Sequence, residues 1–95
     1  MPTLHIQHAI NDFDVWTVAF ARFAEFRKTS GVRDQHVRRP VDDEHYVVID
    51  LDFGTVEEAT TMLEFLRTKV WASPDKSPAL EGSVDARVLE DVELS

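Results

Sequence analysis

Thr3-Leu-His-Ile-Gln-His-Ala-Ile10, then Asn11-Asp-Phe-Asp14, then Val15-Trp-Thr-Val-Ala-Phe-Ala-Arg-Phe23: these consecutive runs set the frame of the chain. Alternation in the first run puts Leu4, Ile6, His8 and Ile10 on one face of a strand, and Thr3, His5, Gln7 and Ala9 on the other. Asn11 or Asp12 then offers a side-chain oxygen to the orphan N–H groups of a helix start. Phe13, Trp16, Phe20 and Phe23 follow at spacings of three, four and three, which is one helical stripe, widened by Ala19 and Phe26. Thr29-Ser-Gly31 ends the helix, Gly31 being suited to a left-handed position just past it.

Outward from this unit, Val32 to Arg39 reads as a polar strand and Glu44 to Phe53 as an apolar one, with Pro40-Val-Asp-Asp43 as the turn between them. A four-residue turn sets Arg39 against Glu44 and Arg33 against Asp50, but also Asp34 against Ile49, so the register stays open. Thr55-Val-Glu-Glu58 is a capping box that opens a second helix, with Val56, Ala59, Leu63, Leu66 and Val70 as its stripe, flanked by Met62 and Phe65. A loop from Ser73-Pro74 to Gly82 precedes a last strand, Ser83 to Leu94.

The order is therefore β-α-β-β-α-β. The first and third strands are the most apolar and belong in the middle; the second and fourth, richer in charge, belong at the edges. The expected architecture is α+β and ferredoxin-like, a single domain over residues 1–95 with an antiparallel sheet in the order 4-1-3-2 and both helices on one face. The open face carries Tyr46 and Val48, and an apolar open face is a partner site, so a homodimer packed face to face is expected.

Bulk properties bound the function. A chain of 95 residues with 43% hydrophobic content has a modest core and gains from burying a face against a second copy. Cysteine is absent, which excludes disulfides and thiolate chemistry. No apolar run has the length of a membrane span or the layout of a secretion signal, and the expected compartment is the cytoplasm. The net charge of −8 disfavours nucleic acid. Residues 1–40 nevertheless carry six basic and four acidic side chains, with a basic edge at Arg22, Arg27, Lys28, Arg33, Arg38 and Arg39. A solvated edge is the plain reading; a site for an anionic small molecule is the other. Three glycines and no nucleotide fingerprint leave no phosphate cradle.

The chain resembles the dimeric α/β-barrel superfamily. The resemblance is carried by the His5-Ile-Gln-His-Ala-Ile10 strand, by the helix start Asp12-Phe-Asp-Val-Trp16 with Phe20, and by Ala72-Ser-Pro with Pro78-Ala-Leu80 ahead of Val88-Leu-Glu90. It spans nearly the whole chain in layout and short fragments. It implies a dimer with a ligand cleft between sheet and helices, and it embraces cofactor-independent monooxygenases, isomerase-like proteins and haem-degrading enzymes. Trp16 matches the indole such clefts use. Asn11, the single asparagine, sits at the helix cap, where it departs from the cleft asparagine of those branches.

His8, between Ile6 and Ile10, is the candidate catalytic acid–base group at the cleft; a half-buried histidine bonded to backbone is the alternative. Trp16, Phe20, His36, Asp50 and Trp71 are the candidate ligand-binding residues. No metal and no cofactor are expected: His5 and His8 point to opposite faces, and His36 with His45, even as diagonal neighbours beside Asp34 or Asp50, falls short of a persuasive ligand set. Asp50 and Asp52, in the most apolar strand, share a face and could do acid–base work, but an ion pair to Arg33 or Arg38, or a polar dimer interface, explains them more simply. Two functional classes follow. One is a homodimeric enzyme, monooxygenase-like or isomerase-like, acting on a small apolar or aromatic ligand. The other is a non-catalytic module whose cleft is filled by Phe20, Phe23 and Leu63. A void of roughly 300 Å³ favours the first, and a closed interior the second.

Overall fold

The structure, a computed structural model, describes residues 1–94. Its elements are β1 (Thr3–Ile10), α1 (Phe13–Arg22), α2 (Ala24–Thr29), β2 (Asp34–Arg38), β3 (Tyr46–Asp52), α3 (Val56–Phe65), a π-helical turn (Leu66–Val70) and β4 (Leu80–Leu89). The four strands form one antiparallel sheet in the order β2-β3-β1-β4, the expected ferredoxin-like topology. Alternation decides the layers. Leu4, Ile6, His8 and Ile10 of β1 and Val47, Ile49 and Leu51 of β3 are buried beneath the helices. Trp16 from α1, Ala59, Met62 and Leu63 from α3, and Phe53 and Ala79 from the connections complete the core. No helix among the described residues is long and apolar enough to cross a membrane.

The caps act where the residues allow. Asp12 accepts the Val15 N–H at 3.0 Å and starts α1. Thr55 Oγ1 accepts the Glu58 N–H at 3.1 Å, but the return half of the box is replaced by a bond from the Thr55 hydroxyl to Glu58 Oε1 at 3.3 Å. In α3 the exposed Val56 leaves the stripe and the buried Met62 joins it.

Four details depart from the sequence reading. The first helix breaks at Phe23, where the Phe20 carbonyl accepts both the Phe23 N–H at 3.3 Å and Arg27 Nη1 at 2.7 Å. The second ends in a π-helical turn. The hairpin is longer than a four-residue turn and pairs Asp34 with Asp52, His36 with Asp50 and Arg38 with Val48. The last strand begins early, at Leu80, because Gly82, at φ 69°, carries a bulge rather than ending the loop, and it stops at Leu89.

Candidate functional site

Between sheet and helices lies a cavity of about 80 Å³. The sheet contributes Ile6, His8, Ile49 and Leu51, the first helical layer Trp16, Phe20, Phe23 and Arg27, and the second Met62, Leu66, Val70 and Trp71. The loop Lys76-Ser-Pro-Ala79 closes one end, fixed by the Ser77 hydroxyl on the carbonyls of Val70 and Ser73 at 2.9 and 2.8 Å. This volume exceeds the room one water needs and falls well short of the roughly 300 Å³ at which drug-sized ligand pockets begin.

His8 is the polar group of the sheet wall and is only 5% exposed. Its Nδ1 lies 3.0 Å from the Ala9 carbonyl, so Nδ1 carries the proton and donates. Nε2 has no hydrogen-bond partner among the described residues, yet no side-chain nitrogen or oxygen is both sealed and unpaired. The basic nitrogen thus keeps access to space outside the packed core. Burial pushes the His8 pKa below its ordinary value, and the Ala9 carbonyl offsets part of that effect. The imidazole is neutral at pH 7. Its position coincides with a break in the ladder: between the pairs Gln7–Asp85 and Ala9–Glu81, residues Gly82, Ser83 and Val84 stand opposite His8 alone.

The helical wall is an aromatic ladder. Trp16 and Phe20 stack with ring centroids 4.8 Å apart, and the Arg27 guanidinium lies 3.6 Å from the Phe20 centroid on the same run of spacing. Arg27 is 7% exposed; Nε donates to Gln35 Oε1 at 3.0 Å and Nη1 to the Phe20 carbonyl. Arg27 was expected on a basic edge, solvated or part of an anion site, and not in the cavity wall, where it is buried. A signal for it existed: it continues the series Phe13, Trp16, Phe20, Phe23 by four, so it falls on the buried stripe despite its charge.

His8, Trp16, Phe20 and Trp71 therefore share one cavity, whereas His36 and Asp50 do not. Ile49 and Leu51 face inward, so Asp50 and its cross-strand partner His36 face the open side of the sheet. There Asp50 lies 2.6 Å from His5 Nδ1 and accepts from Arg38 Nη1 at 3.2 Å, the simple ion pair expected of it. His45 precedes β3 and is no diagonal neighbour of His36. Asp34, His36 and Asp52 bring ligand-type atoms within 4.8 Å of one another on this face, but Asp34 and His36 are exposed and Asp52 already accepts from Thr3 Oγ1 at 2.6 Å. The open face is thus more polar than expected, with Tyr46, Val48 and Ala9 as its apolar corner.

No protein-family model and no curated protein matches this sequence. Solved structures do. The chain is similar to a protein provisionally named an antibiotic biosynthesis monooxygenase from Deinococcus radiodurans, at 11% identity and TM-score 0.74, covering 100% of this chain and 96% of that one. It is similar to an uncharacterized NIPSNAP domain protein from Burkholderia xenovorans, at 14% identity and TM-score 0.66, covering 100% and 98%. A dimeric ferredoxin-like protein from an uncultured marine organism matches at 7% identity and TM-score 0.61, covering 100% and 98%. At these identities the likeness is one of fold alone, and it agrees with the expected ferredoxin-like topology.

Proposed function

We propose that this chain is a homodimeric small-molecule-binding protein whose cavity takes a small apolar ligand, with His8 as the group that moves a proton on it. The observation that carries this reading is the state of His8: buried, neutral, anchored through Nδ1, with Nε2 unpartnered among the described residues, in the wall of an aromatic-lined cavity. A neutral imidazole so placed is a general base for a weakly acidic C–H. An isomerase-like proton shift needs that step followed by return of the proton from Nε2 to a different carbon of the ligand. A monooxygenase-like reaction starts from the same deprotonation. The π-helical turn borders the cavity and the bulge at Gly82 stands opposite His8, and such features recur at functional sites. The volume limits the ligand to a few carbons at a time.

Dimerisation through the open sheet face is part of the proposal. It is supported by the half-buried Tyr46 and Val48 there and by the dimeric description of a structural neighbour. A second reading, a non-catalytic dimeric module, draws support from the small volume alone, although Phe20 and Phe23 line the cavity rather than fill it and Leu63 lies elsewhere in the core.

The test is exchange of the α-hydrogens of butanone in deuterium oxide, followed by NMR. The protein should accelerate exchange, and His8→Asn should lose about 10²-fold or more of the acceleration. Equal rates with both proteins would remove His8 from catalysis. Absence of any butanone binding would favour the non-catalytic module.

A further inference from the structure

Arg27 stands apart from the other charged side chains of the molecule. It and His8 are the polar side chains buried in the core layer, and Arg27 is the charged one. It makes no ion pair with any carboxylate among the described residues. Its two internal acceptors, Gln35 Oε1 and the Phe20 carbonyl, are neutral. Burying a guanidinium is costly unless an opposite charge accompanies it. A purely structural role here, bonding a carbonyl and an amide oxygen across a helix break, would be met by neutral donors. The Phe20 ring face, 3.6 Å away, offsets part of the charge, but no full negative charge accompanies it.

The free part of the fork is Nη2, which donates to no acceptor in the described protein and is not sealed from the outside. Arg27 borders the apolar cavity, where it is the one permanent cation apart from the exposed Lys76. It also borders a shallower polar groove with Glu25, Lys28, Arg33, Asp34 and Gln35, where charges of both signs already meet. The cavity lining named above, by contrast, contains no carboxylate. Guanidinium groups fit carboxylates in plane, through charge-assisted bonds stronger than neutral ones.

We propose that the ligand of this cavity is a small organic carboxylate, its anionic end held by Arg27 and its apolar chain of about three or four carbons lying against the Trp16–Phe20 ladder. The inference rests on the cavity being a ligand site, and it adds the charge of the ligand. Arg27 would act as a binding residue that neutralises its own buried charge only when the ligand is present, and His8 would face the chain rather than the carboxylate.

The experiment is calorimetric titration of the full chain with butyrate, butyramide and acetate at constant ionic strength. Butyrate should bind at least tenfold tighter than either of the others. Arg27→Met should remove the preference for butyrate over butyramide while leaving butyramide affinity within about twofold. If that variant does not fold, Arg27→Lys, which keeps the charge but loses the planar fork, should reduce the preference without abolishing it. Equal affinity of the native protein for butyrate and butyramide would overturn the role of Arg27 and leave the apolar site standing. Equal affinity for acetate and butyrate would place the anion in the outer groove and overturn the proposal. No binding of any of the three would remove the ligand site itself.

Discussion

His5 and His8 lie three positions apart on one strand and end in opposite environments, because a shift of an odd number of residues changes the face of a strand. His5 meets Asp50 on the open side, whereas His8 goes under the helices with only the Ala9 carbonyl for company. The consequence for stability has a definite sign. Unfolding returns His8 to its ordinary pKa near 6.5, above its folded value, so below that pH the unfolded state binds a proton that the folded state resists. Stability from this group is complete above pH 6.5 and is lost as the pH falls towards the folded pKa. The urea midpoint of the native protein should therefore drop more steeply between pH 7.5 and pH 5.5 than that of His8→Asn. Parallel curves would mean that His8 is not held neutral by burial. His8 was legible from alternation alone. Arg27 was legible as a spacing and as one of a basic edge, but nothing in a sequence announces that a charged residue on an apolar stripe will find no counter-ion.

At the scale of elements, local chemistry explains the starts and stops better than the interiors. Asp12 caps α1, and Gly31, at φ 101°, closes α2, where a Cβ would strike the Glu58 carboxylate. Because α1 carries Trp16 and Phe20, its first turn sets where the aromatic wall stands. Asp12→Ala should cost about 1 kcal/mol, seen as a fall in Tm of roughly 4–8 °C for a domain of this size. An unchanged Tm would show that packing, not the cap, holds the helix start. The break at Phe23 was not legible, since Ala21-Arg-Phe-Ala-Glu25 contains neither glycine nor proline. It arises where the Arg27 side chain takes the Phe20 carbonyl, a contact across seven residues. The bulge opposite His8 is similar: Gly82 permits it, but only pairing with β1 turns a permissive residue into a strand.

The whole molecule is two layers, and a second copy packed sheet to sheet on the bare face would make four. That face has an apolar corner at Ala9, Tyr46 and Val48 and a polar remainder in which Thr3–Asp52 and His5–Asp50–Arg38 satisfy one another. If the corner is the centre of a dimer interface, a charge placed there is desolvated without a partner on assembly. Val48→Lys should shift sedimentation velocity profiles at micromolar concentration from dimer to monomer while leaving the far-UV circular dichroism unchanged. A native protein that already sediments as a monomer would end the homodimer proposal.

The sequence by itself determined the element order, the helix starts, the inward face of each central strand and hence the sheet order, because these follow from periodicity and caps within about a dozen residues. It also determined that His8, Trp16, Phe20 and Trp71 could meet. Alternation along the third strand already turns Asp50 away from them; only the tertiary structure decided that His36 stands opposite it, since the hairpin register was left free. It alone decided the cavity's small size and the unbalanced charge of Arg27. Volume and counter-charge are properties of what distant segments leave empty between them, and no local pattern encodes an empty space.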